Sequence, residues 1–520
     1  MYLKTKNYRD FAVIEDGLVV REFHDARLAR KCLPGDIVSI DCPEGCKLVC
    51  RSSHPMIAGL LELQSKVKYG FTSRNVPLYL FTPYNESYPS FIVGSSDQGS
   101  VNRIGLVRFE GEWTETFPRG TLIRLLDVGA DEEALFWTYS PYACEKYKGL
   151  YPDPPSLEKR RLISNAFHID PAGCRDVDDV LNIDYVGENT YVTITIADVS
   201  ASIPTGHPVD LRAAHIGQSL YQDGQVRNML PPLLSEGVCS LLQGSKKAGL
   251  SLKVCLEDLT DLEWFESAVS VSSTYDYDSI YSSDLVPVLK KMSAAFGLES
   301  DDSHVWIEAA MKFYNIQAAR LLKKEGLGVL RSHSAPDLLR FVGLDSSLAF
   351  LAYSSAQYIS AADTSKNTLH WGLQEEAYTH ATSPIRRYAD LVNQRALKCI
   401  LFSVKSNSET LISCDKLNAA AKAAKQHDRD YVFLKVLKQQ PTGVVGGTVI
   451  EIRNEKISVY VKEWSIIVKL KYKLTADGLF LTKDESGTFS LLKGQEVRVA
   501  YHSNFLLRSW KRRIILNLEV

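Results

Sequence analysis

Apolar and polar residues alternate with a period of two over several short stretches near both ends of the chain, and three of those stretches begin alike. Pro34-Gly35-Asp36-Ile37-Val38-Ser39-Ile40, Pro118-Arg119-Gly120-Thr121-Leu122-Ile123-Arg124 and Lys493-Gly494-Gln495-Glu496-Val497-Arg498-Val499 each place a glycine ahead of a strand with one apolar face. Small five-stranded barrels are commonly entered this way. The pattern predicts strand-rich segments over 1–58, 59–150 and 441–520, either one barrel each or a set of unrelated hairpins. In the middle a helical period takes over. Ile307, Ala310, Met311, Tyr314, Ala318 and Leu321 share one face, and Gly326 is placed to cap their helix. Tyr151-Pro152-Asp153-Pro154-Pro155 reads as a linker, and Gln440-Pro441-Thr442-Gly443 stops an alanine-rich helix that begins near Asp415. The predicted class is multidomain α+β, with a mixed α/β domain at 151–440 between barrel-like flanks.

Composition narrows the setting. The chain has 520 residues and a net charge of -2. No run of roughly 18 apolar residues occurs, so no membrane span is expected. The polar start Met1-Tyr2-Leu3-Lys4-Thr5-Lys6 lacks a secretory signal, and the 10 cysteines are scattered, so a reduced cytoplasmic or nuclear protein is expected. A polyanionic partner would require locally concentrated positive charge. Segment 441–520 has it, with 13 Lys and Arg against 8 Asp and Glu. There Lys469, Lys471, Lys473, Arg508, Lys511, Arg512 and Arg513 interleave with Tyr472, Phe505 and Trp510, as on a single-strand-binding face, or on a merely solvated basic one. Cys42, Cys46 and Cys50, with Cys32 and His54 nearby, have zinc donors but no familiar zinc spacing, and read as strand and turn cysteines.

Two segments carry candidate chemistry. In His168-Ile169-Asp170-Pro171-Ala172-Gly173-Cys174-Arg175-Asp176-Val177-Asp178-Asp179, four carboxylates fall within one turn-forming stretch. Hard oxygen donors crowded in this way suit Mg²⁺ or Mn²⁺ with substrate phosphate as further ligand, as phosphodiester hydrolysis requires. A solvated acidic loop is the other reading. A calcium loop is excluded, because its glycine and glutamate positions hold Leu181 and Gly187. The second segment is His380-Ala381-Thr382-Ser383-Pro384-Ile385-Arg386-Arg387-Tyr388-Ala389-Asp390-Leu391. Ser383 or Thr382 is a suitable N-cap and Pro384 a suitable first helical residue, which predicts a helix with Arg386 and Arg387 in its first turn. Two cations at a helix N-terminus call for an anion, either a phosphate or carboxylates of another element.

Together these segments resemble the signatures of the ribonuclease II (RNB) family of 3′→5′ exoribonucleases. The family's D-P-x-x-x-x-D-x-D-D is met by Asp170, Asp176, Asp178 and Asp179, and its T-S-P-I-R-R-Y-A-D by Thr382 to Asp390. Further family-like motifs follow in order: Ile196-Ala197-Asp198-Val199-Ser200, Met229-Leu230-Pro231, Cys239-Ser240-Leu241, Ile307-Glu308, Arg331-Ser332-His333 and His370-Trp371-Gly372-Leu373. The resemblance implies a catalytic RNB domain at 151–440, flanked by OB-type barrels: an abbreviated cold-shock-like barrel at 1–58, a second at 59–150, and a C-terminal RNA-binding barrel at 441–520. It implies Mg²⁺-dependent hydrolysis of single-stranded RNA to nucleoside 5′-monophosphates. Asp170, Asp176, Asp178 and Asp179 would hold the metal, with Asp178 the most critical, and Arg386 would contact the scissile phosphate. Tyr221 would stack on the 3′-terminal base, Glu308 would touch ribose and Arg387 would bind substrate. The lack of a nuclease domain ahead of residue 1 puts exosome association in doubt. Thr195, Ala201, Ala381 and Gln394 depart from the family pattern, which suggests altered channel packing. The rival reading is an inactive RNB-type regulator that only binds RNA.

Overall fold

The computed structural model describes every residue except 16, 41–43, 98, 100, 112, 114, 115, 404–412, 483–486, 504–513 and 520. They form two compact units, one of residues 1–144, 337–352 and 425–520, the other of 145–336 and 353–424. The fold is multidomain α+β with OB-like barrel elements.

In the first unit the three glycine-entered stretches each join a different sheet. Ile37–Ser39 belongs to a five-stranded sheet with Tyr2–Thr5, Phe11–Glu15, Leu18–Phe23 and Lys47–Cys50, packed on Leu3, Phe11, Val13 and Val38. Arg119–Leu125 closes a barrel with Ile57–Leu61, Leu78–Pro83, Phe91–Gly94 and Arg103–Phe109 around Leu61, Phe81, Phe91 and Val107. Glu496–Ser503 lies in a third five-stranded sheet with Thr442–Arg453, Lys456–Val461, Ile466–Lys471 and Ile514–Glu519. At Gly494 the turn takes φ +88°, a conformation glycine adopts without penalty, and its N–H reaches Val449 O at 2.8 Å.

Three expectations change here. The division expected between residues 58 and 59 falls inside a strand of the second barrel, Ile57–Leu61. The expected 151–440 block is not one contiguous unit, since 337–352 and the chain from 425 pack with the first unit. Tyr472, expected on a binding face, is buried at 4% exposure, with its hydroxyl accepting from Leu518 N–H at 2.7 Å. Phe505, Arg508, Trp510 and Lys511 to Arg513 lie outside the described residues. Of the cysteines, Cys32 and Cys46 are buried in the first sheet's core and Cys50 is exposed, while Cys42 is not among the described residues.

The second unit is built on a closed barrel of β1 (Arg161–Ile169), β2 (Asp179–Val186), β3 (Asn189–Ala197), β6 (Lys247–Cys255) and β7 (Leu262–Tyr275). A hairpin of β4 (Leu220–Gln222) and β5 (Gln225–Arg227) lies between β3 and β6 in sequence. This barrel was hidden because its strands are covered on both faces. Val192, Ile194 and Ile196 are fully buried, yet the intervening Thr193 and Thr195 are also under 3% exposed, so no apolar-polar alternation shows. Inside, Thr195 Oγ1 lies 2.7 Å from Ser251 Oγ, which donates to Ser267 Oγ at 2.8 Å. Thr195 thus belongs to a satisfied hydroxyl chain. The long helix α1 (Ser303–Glu325) packs Trp306, Ala310, Tyr314 and Ala318 on this core. Asp302 caps it, accepting from His304 N–H at 2.9 Å, and Gly326 ends it at φ +64°.

Candidate active site

The acidic loop leaves β1 and re-enters the barrel at β2, so its ends are fixed by the sheet. Gly173, at φ +80°, makes the turn between them. The loop is pinned by the Cys239-Ser240-Leu241 motif: Ser240 Oγ accepts from Val177 N–H at 3.0 Å and donates to Arg175 O at 2.8 Å, and Leu241 N–H bonds Val177 O at 3.0 Å. Ala197 N–H holds Asp178 O at 2.8 Å. These bonds aim Asp178 inward, where it is 4% exposed.

The Thr382–Asp390 segment meets it there, but not as the expected helix start. Helix α2 runs from Tyr388 to Phe402, and Arg387 precedes it in extended conformation, φ −133°, bridged to Gln218. Residues 384–386 form a turn. The reason lies in the partners: Ile385 N–H donates to Asp178 Oδ1 at 2.8 Å, Ser383 N–H donates to Asp390 Oδ1 at 2.8 Å, and Ser383 Oγ accepts from Arg386 Nη2 at 3.0 Å. Side chains elsewhere satisfy the donors that an earlier helix start would have left free, and Ser383 does not act as a cap. The dipole argument for an anion therefore lapses, while the arginines remain beside the carboxylates.

Arg386 Nε lies 3.2 Å from Asp178 Oδ2, and 44% of its side chain is exposed. Arg387 turns away and pairs with buried Asp390 at 2.9 Å, an internal ion pair. Tyr221, on β4, is 41% exposed, which removes the possibility of a core tyrosine, and its hydroxyl donates to Asp176 Oδ2 at 2.6 Å. The hairpin is tied to the arginine turn through Ser219 N–H to Arg386 O, 2.9 Å, and to the Met229-Leu230-Pro231 motif through Met229 N–H to Ser219 Oγ, 2.9 Å. Asp170 lies 3.0 Å from His168 Nδ1. Glu308 stands exposed on α1, one turn beyond His304, whose ring stacks on Tyr277 at 3.8 Å.

Electrostatics link these groups. Burial pushes the Asp178 carboxyl up to about 7, although Arg386 and the Ile385 N–H pull the other way. Burial, then the charges of Asp170 and Asp178, holds Asp179 well above the carboxylate range. Tyr277 is pushed up to about 12 by burial and then by Asp170 and Asp179. The four loop carboxylates, Tyr221, Tyr277 and Arg386 thus form one electrostatically coupled group. The donors of the loop are all oxygen, the type a hard divalent cation takes. Among the described residues, no three His, Cys, Asp or Glu side chains are drawn together at metal-binding spacing.

A strut unassigned by sequence reasoning supports the cleft. Asp198, in the quoted Ile196–Ser200 motif, is 1% exposed and accepts from Arg160 Nη2 and Lys398 Nζ, each at 2.8 Å. Burial alone would raise its carboxyl, and Lys398 with Arg160 outweighs that, leaving it below the ordinary range. Gln394 accepts from Ser200 N–H at 2.9 Å and donates to Ala197 O at 2.8 Å, tying α2 to the end of β3.

The fold and the site define a multi-barrel protein in which an acidic loop meets an arginine turn. The RNB domain model matches residues 160–284 and 341–403, so this part of the chain is similar to the RNB domain. Ribonuclease R of Helicobacter pylori is 26% identical over 391 residues, 58% of this chain and 58% of that protein. The chain matches a little over half the length of the curated relatives. Among solved structures, Mycoplasma genitalium RNase R in complex with ribose methylated single-stranded RNA aligns with a TM-score of 0.73 at 17% identity over 99% of each chain. Yeast Ssd1, described as a pseudonuclease, aligns at 0.65 and 16% identity over 97% of this chain and 81% of that one. At such identities these two structures establish the fold.

Proposed function

We propose that the protein is a hydrolytic 3′→5′ exoribonuclease that degrades single-stranded RNA to nucleoside 5′-monophosphates with Mg²⁺ as cofactor. The observation that carries this reading is Asp178, a buried carboxylate held between the Ile385 N–H and the exposed Arg386 guanidinium beside Asp179. A binding protein has no need to maintain such a like-charged cluster beside a phosphate path. Asp170, Asp176, Asp178 and Asp179 would hold the cation, which supplies Lewis acidity and an activated water when bound. Arg386 offers a phosphate oxygen the part of its guanidinium not engaged by Asp178 and Ser383, stabilising charge that develops there. Tyr221, anchored by its hydroxyl, presents a ring on which the terminal base stacks. Glu308 accepts from a ribose hydroxyl, and the setting is cytoplasmic or nuclear. No helix among the described residues is long and apolar enough to cross a membrane.

The second reading, an RNA-binding regulator without activity, is favoured by the bonds that already occupy Arg386, Asp178 and Asp176 and by the absence of a three-carboxylate convergence among the described residues. Purified protein incubated with 5′-labelled and 3′-labelled oligoribonucleotides, with and without Mg²⁺, separates the two. The exoribonuclease reading expects the 3′ label to leave at once as a mononucleotide and the 5′-labelled strand to shorten progressively, both only with the cation. Stable binding without shortening establishes the regulator.

A further inference from the structure

Two motifs without a role in the cleft, Arg331-Ser332-His333 and His370-Trp371-Gly372-Leu373, come together in the second unit. His333 N–H bonds Leu369 O at 3.0 Å, Trp371 N–H bonds His333 O at 2.9 Å, and the His333 and His370 rings lie 5.1 Å apart. Arg331 sits on β8 (Val329–Ser332), opposite Tyr358 of β9 (Gln357–Ser360), with its guanidinium 4.5 Å from that ring's centre. It is 7% exposed, its Nε is buried without a partner, and among the described residues no carboxylate pairs with it. A buried arginine in that state is costly unless an anion completes it.

The neighbours share the deficit. Gly372 N–H donates to His333 Nδ1 at 3.2 Å, which leaves Nε2 as the ring's donor, and that buried atom has no partner. Arg387 Nε is likewise buried and unpaired. Arg331 and Arg387 act on each other electrostatically, and Asp390, bonded by Arg387 and Ser383 through Oδ1 and with Oδ2 buried and unpaired, sets one negative charge against the two. One positive charge and three N–H donors are left over. Burial, then His333 and Arg331, lowers the His370 pKa to about 4, so at neutral pH this ring adds wall and not charge.

Helix α1 connects this cluster to the acidic loop. His304 stacks on Tyr277, which feels Asp170 and Asp179, and Lys312, whose charge reaches His370, lies eight residues further along the same helix. At 1.5 Å per residue that is about 12 Å, with Glu308 midway. We propose that Arg331, His333 and Arg387 form a second phosphate subsite, which holds an internal phosphate of the RNA strand upstream of the scissile one. This rests on the reading of the cleft as the place where the 3′ end is cut.

The test is a binding scan in EDTA, using oligoribonucleotides that each carry one neutral methylphosphonate linkage at a successive position from the 3′ end. Wild-type protein is expected to lose about tenfold or more in affinity when the linkage over Arg331 is neutral, the size of a charge-assisted contact. In Arg331→Gln, and in His333→Ala, whose ring is partly exposed and less critical to folding, that position-specific loss disappears while losses elsewhere persist. Identical profiles in wild type and both variants overturn the subsite. If the variants instead lose affinity only for a nucleoside 5′-monophosphate, the pocket serves a released product and the strand assignment is overturned. Cleavage is measured separately with Mg²⁺. Protein that cleaves without the position-specific loss lacks the subsite but keeps the proposed activity, and protein that shows the loss without cleaving has the subsite and not the activity.

Discussion

Replacing Asp178 by asparagine tests whether the centre is built around a carboxylate that the fold itself disfavours. In the absence of metal, burial raises its pKa from 3.8 to about 7. As pH rises above about 4 the unfolded chain ionises at this position while the folded chain stays protonated. The folded state therefore binds more protons, and stability falls with rising pH until the folded group ionises near 7. About three pH units at 1.36 kcal/mol each put the full penalty at about 4 kcal/mol above pH 7. Asparagine keeps an oxygen for the Ile385 N–H but cannot ionise. In EDTA, Asp178→Asn should therefore match wild type only at or below about pH 4 and melt several degrees higher at pH 8, since about 1 kcal/mol shifts the melting of a unit this size by roughly 2 °C. Excess Mg²⁺ should narrow the gap by stabilising wild type alone, because the cation binds the ionised form. Thermal melts from pH 4 to 8.5, with and without Mg²⁺, measure both effects. A variant no more stable than wild type at pH 8 would refute the reasoning. The same variant should lose at least about 10²-fold in RNA turnover while retaining RNA affinity, as seen in single-turnover assays beside binding titrations.

Arg386→Lys should be strongly defective in single-turnover cleavage although charge is kept, because the guanidinium spans Asp178 and Ser383 while still offering a donor to phosphate, and an ammonium cannot; wild-type rates would reduce Arg386 to a general electrostatic contributor. Tyr221→Ala should lengthen the limit digestion product more than it slows the initial rate, since base stacking is worth about 1–3 kcal/mol and matters most to short RNA, and Tyr221→Phe, which loses only the bond to Asp176, should keep the wild-type end product on a sequencing gel. Asp198→Ala leaves Arg160 and Lys398 with Glu266 as their remaining carboxylate and should cost about 1–3 kcal/mol in chemical denaturation; a loss well under about 1 kcal/mol would mean the strut is dispensable.

Legibility in the sequence followed contiguity. The acidic loop and the arginine turn are each a single short run, so their residue types and spacing stated the chemistry before any fold was known, and the cleft joins them through Asp178, Ile385 and Arg386. The same runs misled where a local rule competed with a partner from elsewhere. Ser383-Pro384 satisfies every local criterion for a helix start, yet Asp178 and Asp390 take the N–H groups on which that start depends, and the helix waits until Tyr388. The central barrel was hidden by burial on both faces, and the basic face lost Tyr472 to the core because period-two spacing does not say which face is covered. The Arg331 pocket could not be read at all. Its donors come from residues 331, 333 and 387, and its signal is a missing partner, a property that exists only once Tyr358, His370 and Asp390 have been brought around the guanidinium and none of them neutralises it. A motif whose residues find all their partners within the fold is accounted for by stability. One that leaves a buried cation and several N–H donors unanswered points to a molecule outside the chain, and in a cleft of this chemistry the strand's own phosphates are the acceptors that fit.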